Sequence, residues 1–378
     1  MENSISKKLT LTIAVAAILS LAGCGGGGGE GSTAVGGSQS LPMPVPTQNA
    51  AVTEQNAPGP QIPTSTEGLT GSAGLNSAKR IARAVQPGVG YTVDTSNREE
   101  VRLFYKSVYA STVGVDPGWT GNVSTCNAGD TSAEFKASVQ RSVNWFRAMA
   151  GVPANVEFDP VLNAKAQQAA MLMSANRQLS HTPPASWICF NAIASEAANK
   201  SNLGIGSFGQ TAVANGYVLD PGANNYLVGH RRWLLYPQTK LMGTGDIVGS
   251  GGTPSTNALW TLDDNFFAAR PSVRDDFVAW PPKGFIPYNT VYPRWSISYP
   301  KADFSKSRVT MTENGVPIAV RMEVVANVAG ENTLVWIPGN YADGMTWAKP
   351  NADTEYQVSR PIQIRYTQGY ESRIMSLG

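Results

Sequence analysis

The spacing of apolar and polar residues divides this chain into three stretches. From Gly25 to about residue 90 there is no period, and "LPMPVPTQNAAVTEQNAPGPQIPTSTEGLTG" has almost no large apolar residue. Such a composition buries too little to offset chain entropy and predicts a disordered spacer. A helical period then begins. Phe135, Val139, Val143, Phe146 and Ala150 recur at three- and four-residue steps, with Thr131 or Ser132 as N-cap and Gly151 as the stop. A second helix follows, capped by Asp159 with Pro160 in its first position, where the missing N–H is no loss. Its narrow face of Leu162, Ala166, Ala169, Ala170 and Met173 predicts tight packing against another element. From Val228 the pattern turns towards strands and ends in "GTGDIVGSGGT", read as a solvent loop. The third stretch runs from about Trp280 to Gly378. "RWSISYP", "RVTMTENG", "IAVRMEVV", "TLVWIP" and "YQVSRPIQIRY" are short segments, several of them alternating, between Gly, Pro and Asn turns. They predict an all-β sandwich of roughly 90 residues.

The N-terminus adds a targeting signal. Lys7 and Lys8 precede Leu9–Leu21, an uncharged and mostly apolar run. It is shorter than the roughly 20 residues a membrane span needs, but it fits a secretory signal. The run ends in Leu21-Ala22-Gly23-Cys24, which resembles the lipobox of bacterial lipoproteins. That resemblance implies acylation of Cys24, with the glycines after it as the start of a flexible tether. The alternative is an ordinary signal peptide that happens to hold a cysteine. Gly25 is not acidic, which by resemblance to Gram-negative lipoproteins implies the outer membrane. Setting Cys24 aside leaves Cys126 and Cys189, an even pair in an oxidising compartment. Bridged, they close a loop that the chain-entropy model values at up to ~4 kcal/mol; the alternative is two buried free thiols. A net charge of +2 with 15% charged residues gives no footprint for nucleic acid.

Candidate chemistry centres on the chain's two histidines, His181 in "LSHTPPASW" and His230 in "NNYLVGHRRWLLYP". Two imidazoles with the nearby carboxylates Glu196 and Asp220 have the donor types to hold zinc or another divalent cation, or to activate a water. Spacing alone also fits two structural histidines. A Ser–His–acid triad through Ser180 or Ser195 lacks the strained nucleophile turn. A Cys–His pair lacks a free thiol if the two cysteines are bridged. "GTGDIVGSGG" lacks the Lys-Ser/Thr of a phosphate loop. The aromatic residues around the motifs, Trp187, Phe190, Tyr217, Tyr226, Trp233 and Tyr236, read mostly as core.

The segment "VNWFRAMAGVPANVEFDPVLNAKAQQAAMLMSANRQLSHTP" resembles the opening of the CAP superfamily, which takes in SCP-like, cysteine-rich secretory, antigen 5 and pathogenesis-related 1 proteins. Asn144, Arg147, Leu162, Ala166, Gln167, Ala170, Ser180 and His181 follow that family's order. "VGHRRW" fits the later Gly-His strand loosely, with Trp233 nearer than usual. The resemblance covers about residues 132–248 and implies an α-β-α sandwich with a cleft lined by two histidines and two acidic residues. The histidines carry over to His181 and His230. Glu196 carries over less closely, in Ser-Glu-Ala rather than Gly-Glu-Asn, and Asp220 departs most, following Tyr217 where a Trp and a later Glu are expected.

The expected fold class is α+β. It comprises a signal peptide (1–23), a Gly/Pro/Ser-rich tether (24–95), an α-β-α sandwich CAP domain (96–279) and a C-terminal immunoglobulin-like β-sandwich (280–378). The expected function is a lipid-anchored cell-envelope binding module. Its partners are the membrane, through the anchor, and a lipid, sterol-like or cell-wall ligand held in the histidine cleft. The alternative is a metal-assisted hydrolase, with His181 and His230 holding the metal and Glu196 as base. On a strand, Arg232 would share a face with His230, where its charge would oppose a cation and suit an anionic ligand.

Overall fold

The structure is a computed structural model that describes residues 90–300, 302–313, 316–325, 330–339, 362–368 and 371–377. The signal segment, Cys24 and positions 24–89 of the tether lie outside the described residues. Gly90–Thr95, which the sequence assigns to the tether, belong to the folded part. Val93 and Thr95 are buried, and Tyr91 N donates to Ala154 O at 3.1 Å.

Helix α1 spans Arg98–Phe104, and α2 spans Ala133–Met149. Ser132 caps α2, its hydroxyl accepting from Phe135 N at 3.1 Å. This satisfies one of the donors that every helix start leaves open. Helix α3, Pro160–Asn176, is capped by Asp159, which accepts from the Val161 and Leu162 amides at 2.8 and 2.9 Å. Helix α4 is Ala192–Lys200 and α5 is Gly229–Leu234. The first sheet has the order β1-β3-β4-β2, from Glu157–Phe158, Leu241–Ile247, Thr256–Trp260 and Ser201–Ile205. β1 runs parallel to β3, and the other pairs are antiparallel.

Helix α3 lies directly on β3, which corrects the reading of the glycine-rich stretch as a solvent loop over its first five residues, 243–247, while 248–253 do form a loop. Gly243 and Gly245 stand in a buried strand. A Cβ at Gly245 would lie 2.1 Å from the Ala166 carbonyl carbon, and one at Gly243 would lie 2.4 Å from that of Leu162. The alanine face of α3 therefore meets β3 where Gly243 and Gly245 carry no side chain, so the backbones approach closely. Gln167 closes the contact, accepting from Asp246 N at 2.8 Å and donating to Asp246 O at 2.9 Å.

The strand expected from Val228 is also corrected. Val228 takes a left-handed conformation (φ 46°), and Arg232 N and Leu235 N then donate to Val228 O and Arg231 O, as in a helix. Six residues are less than two turns, too few for a readable period.

A second, all-antiparallel sheet follows, in the order β5-β6-β10-β9: Val278–Trp280, Trp295–Tyr299, Asn332–Pro338 and Val320–Met322. A further antiparallel sheet, β12-β11-β7-β8, comes from Glu371–Leu377, Ile362–Gln368, Arg308–Glu313 and Val316–Ile318. Strand β5 stitches the two parts together. Val278 and Trp280 join the core around α2, while Phe277 and Ala279 join the core of the C-terminal sheet. Side chains alternate in direction along a strand, so three residues serve both cores. The whole is an α+β chain, and the Cys126–Cys189 disulfide (Cα–Cα 5.3 Å) ties the segment before α2 to the loop before α4.

Candidate functional site

Asp220 and His230 form the best-defined polar contact of the site. Asp220 is fully buried, with a left-handed backbone (φ 53°) that aspartate tolerates better than most residues. Its Oδ1 accepts from His230 Nδ1 at 2.7 Å, and its Oδ2 accepts from the His230 backbone N–H at 3.0 Å. His230 is in the first turn of α5, where the amide has no partner within the helix. One carboxylate therefore caps the helix and orients the imidazole.

The same corner buries two arginines. Arg231 donates from Nε to Val218 O at 2.6 Å, and from Nη1 to Arg294 O and Ser296 Oγ, both at 2.9 Å. Burial pushes its pKa down to about 10, with the negative charge of Asp220 working against that shift. Arg294 donates to Asp220 O at 2.9 Å and pairs with Glu323 at 3.3 Å.

Beneath His230 lies a polar chain that sequence reasoning missed as a network. Asn202 Nδ2 donates to His230 O at 2.9 Å, and the Tyr217 ring lies 5.5 Å from the imidazole. Tyr217 Oη donates to Asn257 Oδ1 at 2.5 Å, and Asn257 Nδ2 donates to Asp246 Oδ1 at 2.7 Å. Asp246 also accepts from Gly209 N at 2.6 Å, at the start of the helical turns that carry Tyr217. Burial raises the Asp246 carboxyl above its usual range. The sequence signal was a lone carboxylate inside "GTGDI".

His181 is held by a different element. Its Nδ1 lies 2.8 Å from Ala198 O in α4. A carbonyl only accepts, so Nδ1 carries the proton and a neutral ring has its lone pair on Nε2. The same holds for His230 against the Asp220 carboxylate. The histidines, 49 positions apart in sequence, thus contact Ala198 and Asn202, four residues apart where α4 passes into β2.

The remaining predicted residues go elsewhere. Glu196 lies between Lys165 Nζ at 2.8 Å and Lys200 Nζ at 3.0 Å, and both ammonium groups lie over the Trp260 ring. The hydrogen bond from Lys165, followed by that from Lys200, holds its carboxyl below the usual range. Arg232 does not share a face with His230 as a strand would require. Two steps along a helix turn the side chain by about 200°, and Arg232 Nη2 donates to Glu331 O at 2.8 Å in the C-terminal part. A cavity there is lined by Arg231, Arg232, Tyr236, Trp280, Ser298 and Glu331, and neither histidine lines it.

These partners also test the expected metal. Among the described residues, no group of three or more His, Cys, Asp or Glu stands together as a metal site. Asp220 is engaged by His230, and Glu196 by two lysines. Neither predicted carboxylate is therefore placed to complete a metal site with the two histidines.

Residues 140–263 match the family model of the cysteine-rich secretory protein (CAP) family. No curated protein matches the chain. The match runs from α2 through β4 and includes His181, Glu196, Asp220 and His230. This chain carries a CAP-family domain over residues 140–263.

Proposed function

We propose that this protein is a lipid-anchored envelope protein of a Gram-negative bacterium, tethered to the outer membrane through Cys24. In this reading its CAP domain is a binding module for a lipid, sterol-like or cell-wall ligand, contacted by the Nε2 atoms of His181 and His230 across one cleft. The domain is an α-β-α sandwich, and the C-terminal strands form an immunoglobulin-like sandwich that braces it. The observation carrying the reading is that both Nδ1 atoms are held by acceptors, Ala198 O and Asp220 Oδ1, while Glu196 is engaged by two lysines. Fixed imidazoles whose predicted partner base, Glu196, is held by lysines suit ligand contact better than water activation. The hydrolase reading has less support, because its base, Glu196, is neutralised by Lys165 and Lys200.

The test is calorimetry of the chain with soluble peptidoglycan fragments and, separately, with short-chain phospholipid. His181→Ala and His230→Ala should each weaken binding of the ligand that registers by about tenfold or more, the loss of one polar contact on a buried ligand group. Both variants should still melt cooperatively. Binding by both variants as tight as by the parent would contradict the cleft.

A further inference from the structure

The turn after β4 presents an apolar tip to water. Phe267 is 87% exposed, more than any other large apolar side chain among the described residues, and Ala268 and Ala269 beside it are exposed. The turn is firmly built. Asp263 accepts from the backbone amides of Lys240, Leu241 and Asn265, while Phe266 N and Ala268 N donate to Asp263 O and Asn265 O. Behind it, Phe266 stacks on Tyr236 at 5.4 Å and packs against Trp233 at 5.6 Å, and Tyr236 Oη donates to Phe266 O at 3.1 Å. Phe267 meets Phe266 edge-on at 4.6 Å.

A rigid turn that holds a phenyl ring in water favours any apolar phase that covers the ring. The shape narrows the choice. Small-molecule sites are concave, whereas a ring this exposed stands proud of the surface and suits a fluid bilayer. The charges agree with a neutral surface. Arg270 and Glu331 pair with each other, and Asp264 is the exposed charge within the turn. The distance agrees as well. From Cys24 to Gly90 is 90 − 24 = 66 residues, and in the anchored reading a flexible tether of that length would span about 45 Å. The turn is then held near the membrane at millimolar effective concentration.

We infer that the Phe266–Ala269 turn is a second membrane contact, with Phe267 entering the apolar edge of a zwitterionic bilayer when the chain is anchored. The inference rests on the anchored reading above, so the assay supplies its own tether. The chain from position 24 onward, carrying Cys24→Ser behind a histidine tag, is held on vesicles of phosphatidylethanolamine, phosphatidylcholine and a nickel-chelating lipid. With Cys126 and Cys189 bridged, Ala268→Cys is the single free thiol and takes an environment-sensitive dye. The expected result is a blue-shifted emission quenched by brominated lipid, with the inserted fraction falling about tenfold when Phe267→Ser is added. Emission matching that of a dye at Ser250→Cys, an exposed site on another turn, would overturn the inference. So would a blue shift that Phe267→Ser leaves unchanged. Mass spectrometry of the native chain is read separately, and an unmodified Cys24 would overturn the anchored reading alone.

Discussion

The charges around α4 and those around α5 are arranged in opposite ways. On α4, Glu196 pairs with Lys165 and Lys200, and the three side chains are 38%, 30% and 41% exposed. Around α5, Asp220, Arg231 and Arg294 are 0%, 1% and 3% exposed, and their hydrogen bonds run from the CAP domain into the C-terminal sheet. Exposed pairs are screened by water and contribute little. Buried ones are costly to desolvate, and removing one partner leaves the others uncompensated. The α4 cluster is thus a surface feature, whereas the α5 cluster fixes where His230 sits and how the two parts of the chain join.

Three substitutions sharpen that contrast. The largest effect is expected from Asp220→Ala, which strips the partner from His230 and a counter-charge from Arg231. Urea unfolding should show a loss of about 3–5 kcal/mol, and a loss under 1 kcal/mol would mean the corner is not a structural joint. Tyr217→Phe comes next. It removes the donor to Asn257 Oδ1 inside a buried chain, at about 1–3 kcal/mol, and should shift the His230 ring resonances in an NMR spectrum. Unmoved resonances would uncouple that chain from the histidine. The smallest effect is expected from Glu196→Gln, within about 0.5 kcal/mol at neutral pH.

Acid titration separates Glu196 further. Its folded pKa is depressed below 4.5 by the lysines. Whatever it contributes is therefore present above 4.5 and lost as pH falls through the folded value. Glu196→Gln should lower stability slightly at neutral pH, with the difference from the parent fading as pH falls below 4.5 through the folded value. A loss that persists undiminished in acid would contradict the assignment to charge pairing at the surface.

How much of this was legible in the sequence depended on the length and range of each signal. Helices α2 and α3 were legible because Ser132, Asp159 and Pro160 act on their own neighbours and the apolar steps persist for four turns. β3 was misread because Gly243 and Gly245 carry no period; they make sense only against Leu162 and Ala166 of α3. The six residues of α5 were too short to announce a helix, and that error also misplaced Arg232. Among the site residues, both histidines were named in the sequence, where their scarcity singles them out. Asp220 was named as a possible ligand, yet its contacts serve the His230 ring and the α5 cap. Asn202 and Asn257 were missed, since a single amide in a strand carries no local sign of what it will bond.

The central claim is that His181 and His230 are fixed imidazoles for ligand contact rather than the core of a metal centre. The most direct test is calorimetric titration of the chain with zinc, with His181→Ala and His230→Ala in parallel. The account predicts no one-to-one site of submicromolar affinity in any of the three proteins. A one-to-one site of that affinity in the parent chain, abolished by either substitution, would contradict it.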